Sequence, residues 1–462
     1  MTAERYDVVI VGAGPAGIFA AIELLRTRPA MRVLIAERGK PIARRRCPAH
    51  ETHCVECETC SIMTGWGGAG AFSDGKLTLT TEVGGWLGEY VGVKRLRRLI
   101  EDADDLWLEF GATPQVHGPD AETATRLRRE ATLAEMKLVP MRIRHIGTDR
   151  SPDVLQAMHD HLLANGATIR TSTRVRRVLA EHGHVMGVEL DDGSIIHADA
   201  VIAAPGRDGA DWLAEQASVL GIGLVSNAVD IGVRVEVPAP VMERLTDHLY
   251  EAKLIYYSKR FGDQVRTFCM NPYGEVTTES YGEIVTVNGH SYAGRRTDNT
   301  NFAVLVSQSF THPFREPITY GSSIARLANL LGEGILVQRL GDLREGRRST
   351  EKRIARSVVV PTLPSATPGD LSFVLPYRHL VDVLEFLGAM DRLAPGVAGD
   401  GTLLYGVEVK FYSSRLELDA DLQTQIAGLY AVGDGAGVTR GLIQASASGL
   451  VAARAVQRST EA

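Results

Sequence analysis

No apolar run in the chain approaches the roughly 18 residues that a bilayer-spanning helix needs, so membrane insertion is not expected. An apolar strand starts almost at the first residue with no secretion signal before it, which sets a cytoplasmic expectation. Cysteine is scarce: there are 5, and Cys47, Cys54, Cys57 and Cys60 lie close together, a distribution that excludes a spread extracellular disulfide scaffold. Lysine is also scarce, and the 50 basic residues against 56 acidic ones leave a net charge of −6. That balance argues against a dedicated nucleic-acid binder while leaving room for a local anion pocket. Internal repeats and low-complexity segments are absent. With 44% hydrophobic and 23% charged residues over 462 positions, disorder is excluded as the general state, and the length suits two or three domains.

Against these absences stands a dense set of glycines near the start. Residues 6–11 (YDVVIV) form a short apolar run that ends at Gly12-Ala13-Gly14-Pro15-Ala16-Gly17, and IFAAIELLRT continues with helical character. This is strand, tight turn, helix. Gly12 permits the turn, Gly14 lets backbone approach a pyrophosphate, and Gly17 lets helix and strand pack closely. A second apolar strand, 31–36, ends at Glu37, 20 residues beyond Gly17, where a carboxylate accepts hydrogen bonds from an adenosine ribose and disfavours a 2′-phosphate.

That fingerprint alone leaves NAD and FAD open. The far end separates them: GLYAV at 428–432 leads into Gly433-Asp434-Gly435-Ala436-Gly437, and an alanine-rich helix follows over 442–456. Asp434 after a short strand can hold a ribityl hydroxyl. The helix start at Gly441, Leu442 and Ile443 can stabilise negative charge on a reduced flavin or its pyrophosphate.

Together GAGPAG with Glu37, and GLYAVGDGAG followed by GLIQASASGLVAARAV, resemble the two ends of flavoproteins with the glutathione-reductase type of FAD domain. More narrowly, the Cys54, Cys57, Cys60 spacing with WGGAGAFSDGKLTLT, and HIGTD at 145–149, resemble a bacterial family usually called uncharacterised FAD-dependent dehydrogenases. The resemblance implies an α/β fold: a Rossmann-like FAD-binding domain assembled from discontinuous segments (1–226 and 400–462), with an inserted, mostly antiparallel α+β substrate domain (227–399). It also implies that Gly12, Gly14, Pro15, Ala16, Gly17 and Glu37 serve the ADP half of FAD and Gly433 and Asp434 the ribityl chain. Gly67, Gly68, Ala69, Gly70, Ser73, Asp74 and Lys76 would then surround the flavin. Read directly, those glycines let backbone crowd a planar ring, and Ser73, Asp74 and Lys76 supply polar contacts; a tight surface loop is the alternative. Relatives of this kind tend to carry Thr-Arg-Thr before the serines near 413, whereas this chain has Val409-Lys410-Phe411. A bidentate donor thereby becomes a point charge, which bears on substrate anchoring.

Between the two ends, helical stripes are expected over 94–110 and over 151–165, the latter capped by Ser151, and a strand–hairpin–strand return over 167–204. Arg207, after the return strand, can contact FAD phosphate or substrate charge, or be an ordinary solvated arginine. From 227 onward strands prevail, with turns expected at 271–274 and at Asn288-Gly289 and helices at 322–331 and 380–390. This sheet is expected to lie over the isoalloxazine, recognising substrate and excluding water.

A flavin carries the electron chemistry itself, so no catalytic triad is required. The polar candidates are Tyr281, His290, Arg295, His312, Arg315, Tyr377, Arg378 and His379. His312 suits proton transfer and Arg315 anion binding, and with Lys410 they form the catalytic expectation. His312 in Thr-His-Pro-Phe reads equally as a structural turn histidine. The cluster of Cys47, His50, His53, Cys54, Cys57 and Cys60 leaves three readings open: reduced thiols, an iron–sulfur or zinc site, or a redox-active disulfide. Cys269 reads as an unrelated buried thiol. The leading expectation is hydride transfer between flavin N5 and a small or medium organic molecule. The electron partner is unidentified, with NAD(P)H or a redox carrier protein as candidates, since only one dinucleotide fingerprint is present. The alternatives are a monooxygenase using reduced flavin and oxygen, and a nonenzymatic flavin-bound interaction protein.

Overall fold

The computed structural model describes residues 4–48, 57–73, 75–147, 150–225, 227–249, 251–281, 283–291, 296–310, 316–410 and 415–459. Two compact units divide the chain: Met1–Val116, Arg142–Val225 and Ser413–Ala462 form the first, and His117–Met141 with Ser226–Tyr412 the second. Residues 117–141 and 400–412, grouped with the nucleotide-binding segments on sequence grounds, pack with the second unit because Lys137–Val139 and Leu403–Lys410 are strands of its sheet.

The first unit is built on a seven-stranded sheet. Its parallel part runs Thr168–Arg170, Val33–Ala36, Glu4–Val11, Ile195–Ala203 and Leu429–Ala431, all apolar where they are central. Continuous apolar runs suit strands covered on both faces. An antiparallel pair, Val175–Glu181 and His184–Leu190, joins the outer end of Ile195–Ala203. Helix Pro15–Thr27 and the last helix, Leu442–Ser459, pack closely because the latter is rich in Ala, Ser and Gly. A Cβ on Gly449 would come within 2.1 Å of the Ala16 carbonyl oxygen. Arg454 ties these helices to a third, Val93–Glu109, through Glu23 at 2.6 Å and Asp102 at 2.8 Å.

The second unit carries an eight-stranded sheet in the order Thr367–Pro368, Leu336–Arg339, Leu403–Lys410, Val229–Pro238, Asn299–Gln308, Gln264–Asn271, Lys253–Tyr257, Lys137–Val139. Pairing is antiparallel except between the first two strands. Strand Val229–Pro238 alternates strictly: Val229, Ile231, Val233, Val235 and Val237 enter the main core with residues of helices Pro317–Gly332 and Tyr377–Asp391, while Asp230, Arg234 and Glu236 point to the other face. Thus the fold is α/β with a discontinuous Rossmann-like unit and a second mixed unit.

Several local expectations are corrected. Asn288 and Gly289 form no turn; they lie within strand Ile284–His290, where Gly289 leaves room for Asn301 and Arg234, whose side-chain atoms would be 2.1 and 2.4 Å from a Cβ. Ser151 is the first residue inside helix Ser151–Ala164, and its hydroxyl donates to the Gly147 carbonyl at 2.9 Å instead of capping. Helix Ala121–Leu133 and strand Lys137–Val139 were not expected.

Candidate functional site

Three glycine-bearing segments of the first unit meet at the carboxyl ends of its parallel strands. At the turn, Gly12 has φ +101°, and a Cβ there would be 2.3 Å from the Ala204 oxygen; a Cβ on Gly17 would be 2.1 Å from the Gly12 oxygen. Both positions are closed by backbone. Gly14 is different: among the described residues a Cβ there would have only the Gly68 Cα within 4 Å, at 3.9 Å, so the space beside it is open. Gly14 is also the N-cap of helix Pro15–Thr27, with Pro15 in its first turn and no side-chain cap, so the positive helix start is left to an anion.

Glu37 follows strand Val33–Ala36 and is 5% exposed. Its Oε2 accepts from the Ala13 N–H at 2.8 Å and its Oε1 from the Gly39 N–H at 2.7 Å, which fixes the carboxylate beside the turn. A cleft opens there, with apolar walls from Val11, Ala36, Val175, Pro205 and Trp212. Arg38, at its edge, is paired with Asp208, which also accepts from the Thr64 hydroxyl at 2.7 Å.

Gly67 anchors the second segment by donating to the Ala13 carbonyl at 2.8 Å, and Gly68 opens a short 3-10 helix, Gly68–Phe72, that contains Ala69 and Gly70. A Cβ on Gly70 would be 2.3 Å from a Leu442 methyl. Ser73 donates to the Gly70 carbonyl at 2.8 Å, so its hydroxyl hydrogen serves the loop itself. Lys76 begins strand Lys76–Thr78, opposite His145. Asp74 lies outside the described residues.

The residue that organises this segment is Arg45, which the sequence reading passed over. It is 3% exposed and donates to four carbonyls: Ser61 at 2.9 Å, Ile62 at 2.7 Å, Trp66 at 2.7 Å and Gly68 at 2.8 Å. Its guanidinium also stacks over Phe72, and desolvation pushes its pKa down to about 10. Trp66, fully buried, donates its indole N–H to the Leu155 carbonyl at 2.8 Å. An arginine whose partners are carbonyls far along the chain leaves no local signal.

In the third segment, Gly433 (φ +79°) follows strand Leu429–Ala431, and a Cβ on it would be 3.2 Å from the Ala16 Cβ. Asp434 therefore sits next to the helix that begins at the glycine turn. Its Oδ1 accepts from the Thr439 hydroxyl at 2.8 Å, its Oδ2 from the Gly441 N–H at 3.4 Å, and Arg207 stands 3.8 Å away. Burial raises the Asp434 pKa, opposed by Arg207 and the Thr439 hydrogen bond. Gly441, before Leu442 and Ile443 at the start of the last helix, has no neighbour within 4 Å of a Cβ among the described residues. The Gly433 N–H is held by the Ser448 hydroxyl at 3.1 Å.

The remaining candidates lie in the second unit. Lys410 ends strand Leu403–Lys410, its ammonium 2.9 Å from Glu279 and 3.3 Å from Glu408. His312, Arg315 and Arg295 lie outside the described residues, as does the side chain of Tyr281. His290 is exposed, and Arg378 is paired with Asp263. His379 is 2% exposed, with no hydrogen bond to either ring nitrogen among the described residues, and desolvation pushes its pKa down to about 4. Cys47, Cys57 and Cys60 are free thiols, while Cys54, His50 and His53 lie outside the described residues. Among the described residues no group of His, Cys, Asp or Glu is placed to hold a metal, and no helix is long and apolar enough to cross a membrane.

The first unit fits FAD. An open side at Gly14, an uncapped helix start, a carboxylate fixed beside an apolar-walled cleft and a second carboxylate at the entry of the last helix match a pyrophosphate, an adenosine and a polyol chain in turn. Fold and site define a Rossmann-like dinucleotide-binding oxidoreductase. The chain belongs to the FAD binding domain family, whose model matches residues 5–253, and thereby to the FAD-binding oxidoreductase superfamily. A second model, the FAD-dependent protein C-terminal domain-like family, matches residues 228–411. An uncharacterized protein of Clostridium beijerinckii is 27% identical over 476 positions, covering 96% of this chain and 79% of that one. Among solved structures, the formate oxidase of Aspergillus oryzae is similar with a TM-score of 0.47 and 11% identity, over 100% of this chain and 99% of that one. The 3-ketosteroid-Δ4-(5α)-dehydrogenase of Rhodococcus jostii gives 0.44 and 14%, over 98% and 97%. Glycine oxidase from Geobacillus kaustophilus gives 0.39 and 16%, over 99% and 95%.

Proposed function

We propose that the protein is a FAD-dependent dehydrogenase or reductase of the bacterial group its cysteine and WGGAGAFSDGKL motifs resemble, acting on a small or medium organic molecule. The observation that carries the cofactor assignment is the convergence, within one unit, of the open face at Gly14, the fixed carboxylate of Glu37 and the partly buried carboxylate of Asp434. When bound, FAD supplies the two-electron step, exchanging a hydride at N5.

The chain's own residues bind and orient. Gly12, Gly14, Pro15, Ala16 and Gly17 present backbone and a helix start to the pyrophosphate. Glu37 keeps free lone pairs for the ribose hydroxyls, since each of its oxygens accepts one backbone N–H. Asp434, with Gly433, holds a polyol hydroxyl, and Gly441, Leu442 and Ile443 present the start of the last helix to developing negative charge. Gly67, Gly68, Ala69, Gly70, Ser73, Asp74 and Lys76 border the ring, with Arg45 holding the glycines of this loop in one conformation. His312 is the proposed proton carrier, and Arg315 and Lys410 the proposed anchors. A single dinucleotide fingerprint implies that NAD(P)H or a carrier protein would deliver or remove electrons transiently.

Anaerobic titration of the FAD-loaded protein with NADH, NADPH, a reduced carrier protein and a panel of organic reductants tests the proposal. Bleaching of the visible flavin band by at least one of them is expected. A flavin that stays oxidised with all of them overturns the redox reading.

A further inference from the structure

The face of the second unit's sheet that carries Asp230, Arg234 and Glu236 holds an arrangement that the cofactor assignment leaves unused. Lys253 on strand Lys253–Tyr257, Arg266 on strand Gln264–Asn271 and Lys410 on strand Leu403–Lys410 surround one aromatic ring, that of Phe268. Their charged atoms lie 5.5, 5.2 and 6.0 Å from its centroid. Phe268 itself is partly exposed, and Ala303, its partner on the next strand, adds only a methyl group.

Two of these cations are compensated. Arg266 is paired with Asp230, which also accepts from the Ser307 hydroxyl at 2.6 Å, and Lys410 lies between Glu279 and Glu408. Glu408 is further engaged by the fully buried Arg234 at 3.1 Å. Lys253 is not compensated. It is 6% exposed, yet among the described residues its ammonium has no hydrogen-bond or ion-pair partner. Glu251 and Asp230 are felt by its charge without pairing with it, and Arg266 repels it. A largely buried ammonium without an ion-pair partner is costly to keep charged, and an anion that reaches it offsets that cost.

We infer that Lys253, with the Phe268 ring beside it and Arg266 and Lys410 at its flanks, is a binding site for an organic carboxylate whose apolar body rests on the ring. The ligand class is a carboxylic acid with an apolar body, and the site stands apart from the cofactor assignment above. The chemistry follows from the surroundings: a partly exposed ring takes apolar surface, and the ammonium takes the charge. Burial and Arg266 push the Lys253 pKa down to about 7, so carboxylate binding should draw a proton onto the amine and weaken at high pH.

Benzoate is the probe, titrated calorimetrically into the oxidised, FAD-loaded protein. Binding by the wild type is expected, with a loss of about tenfold or more in affinity for Lys253→Gln and retention by Lys253→Arg. Equal affinity of the wild type and Lys253→Gln, or no binding by the wild type, overturns the inference. If Lys253→Gln fails to fold, acetylation of the wild-type protein with mass-spectrometric readout replaces it. Benzoate should slow labelling of Lys253 and leave the helix residue Lys94 unchanged, and equal labelling of Lys253 with and without benzoate overturns the inference. Because these measurements require no electron transfer, benzoate binding at Lys253 in a protein whose flavin is never reduced would sink the redox reading and leave the carboxylate site standing.

Discussion

Replacing Glu37 by glutamine separates its two tasks. Glu37 is almost fully buried, and each of its oxygens receives a backbone N–H, from Ala13 and from Gly39. Glutamine keeps one acceptor and turns the other into a donor, so one of those N–H groups faces an N–H. A buried donor left unpaired costs about 1–3 kcal/mol, a penalty on the fold that appears with or without cofactor. Loss of the charge-assisted bond to a ribose hydroxyl removes a further ~1.5–3 kcal/mol that exists only in the complex, equivalent to roughly 10- to 100-fold in the FAD dissociation constant. The assay is paired: thermal unfolding of the apoprotein, and fluorescence-quenching titration of apoprotein with FAD. Both a lowered apoprotein melting temperature and the weakened affinity are expected. A lowered melting temperature with unchanged FAD affinity would show that Glu37 only staples the loop and would refute its assignment to the ribose.

Gly12→Ala and Gly14→Ala should part company. The first drives a Cβ into the Ala204 carbonyl at positive φ and should lower the melting temperature sharply; the second meets open space and should leave it unchanged while FAD retention after gel filtration falls. Gly14→Ala protein that keeps its FAD would count against pyrophosphate contact there. Arg45→Lys, which cannot reach four carbonyls at once, should destabilise the fold by about 3 kcal/mol or more in urea titration; a loss under ~1 kcal/mol would show that the carbonyl clamp is dispensable.

In the second unit, two buried groups should oppose one another with pH. Asp382, whose pKa burial and the nearby Asp263 push up to about 6, favours the fold when protonated, a contribution lost as pH rises from about 4 to 6. His379, pushed down to about 4 chiefly by desolvation, resists protonation in the fold, so its contribution grows as pH rises from about 4 to 6.5. Asp382→Asn should therefore leave a stability that climbs with pH across this window, and His379→Gln one that falls. Parallel pH profiles for the two variants in denaturant titrations would contradict the opposition: a climb in His379→Gln sinks the Asp382 assignment, and a fall in Asp382→Asn sinks that of His379.

What the sequence made legible was local. The glycine turn, Glu37 and the Gly433–Asp434 segment each write their geometry into a few adjacent residues, because a backbone closed against Ala204 or Gly12 tolerates only glycine. The alternation in 229–237 likewise gives that strand one apolar face. The missed features are those whose cause lies far along the chain. Arg45 gains its meaning from carbonyls 16 to 23 residues away. Strand Lys137–Val139 is defined by pairing with Lys253–Ile255, a partner that no local periodicity names. Asn288-Gly289 has the composition of a turn, yet its glycine serves the approach of Arg234 and Asn301 across the sheet. His312 and Arg315 stay sequence-based candidates, and Lys410 proved to be a cation already flanked by two carboxylates.

The most direct measurement is the cofactor content of the intact chain: incubation with excess FAD, removal of the unbound fraction, and quantification of flavin by visible absorption and of released nucleotide by chromatography. One FAD per chain is the expected result, reduced by Glu37→Gln and by Gly14→Ala. A protein that retains no flavin after saturation, or that retains NAD in its place, would contradict the assignment of the Gly14, Glu37 and Asp434 site to FAD.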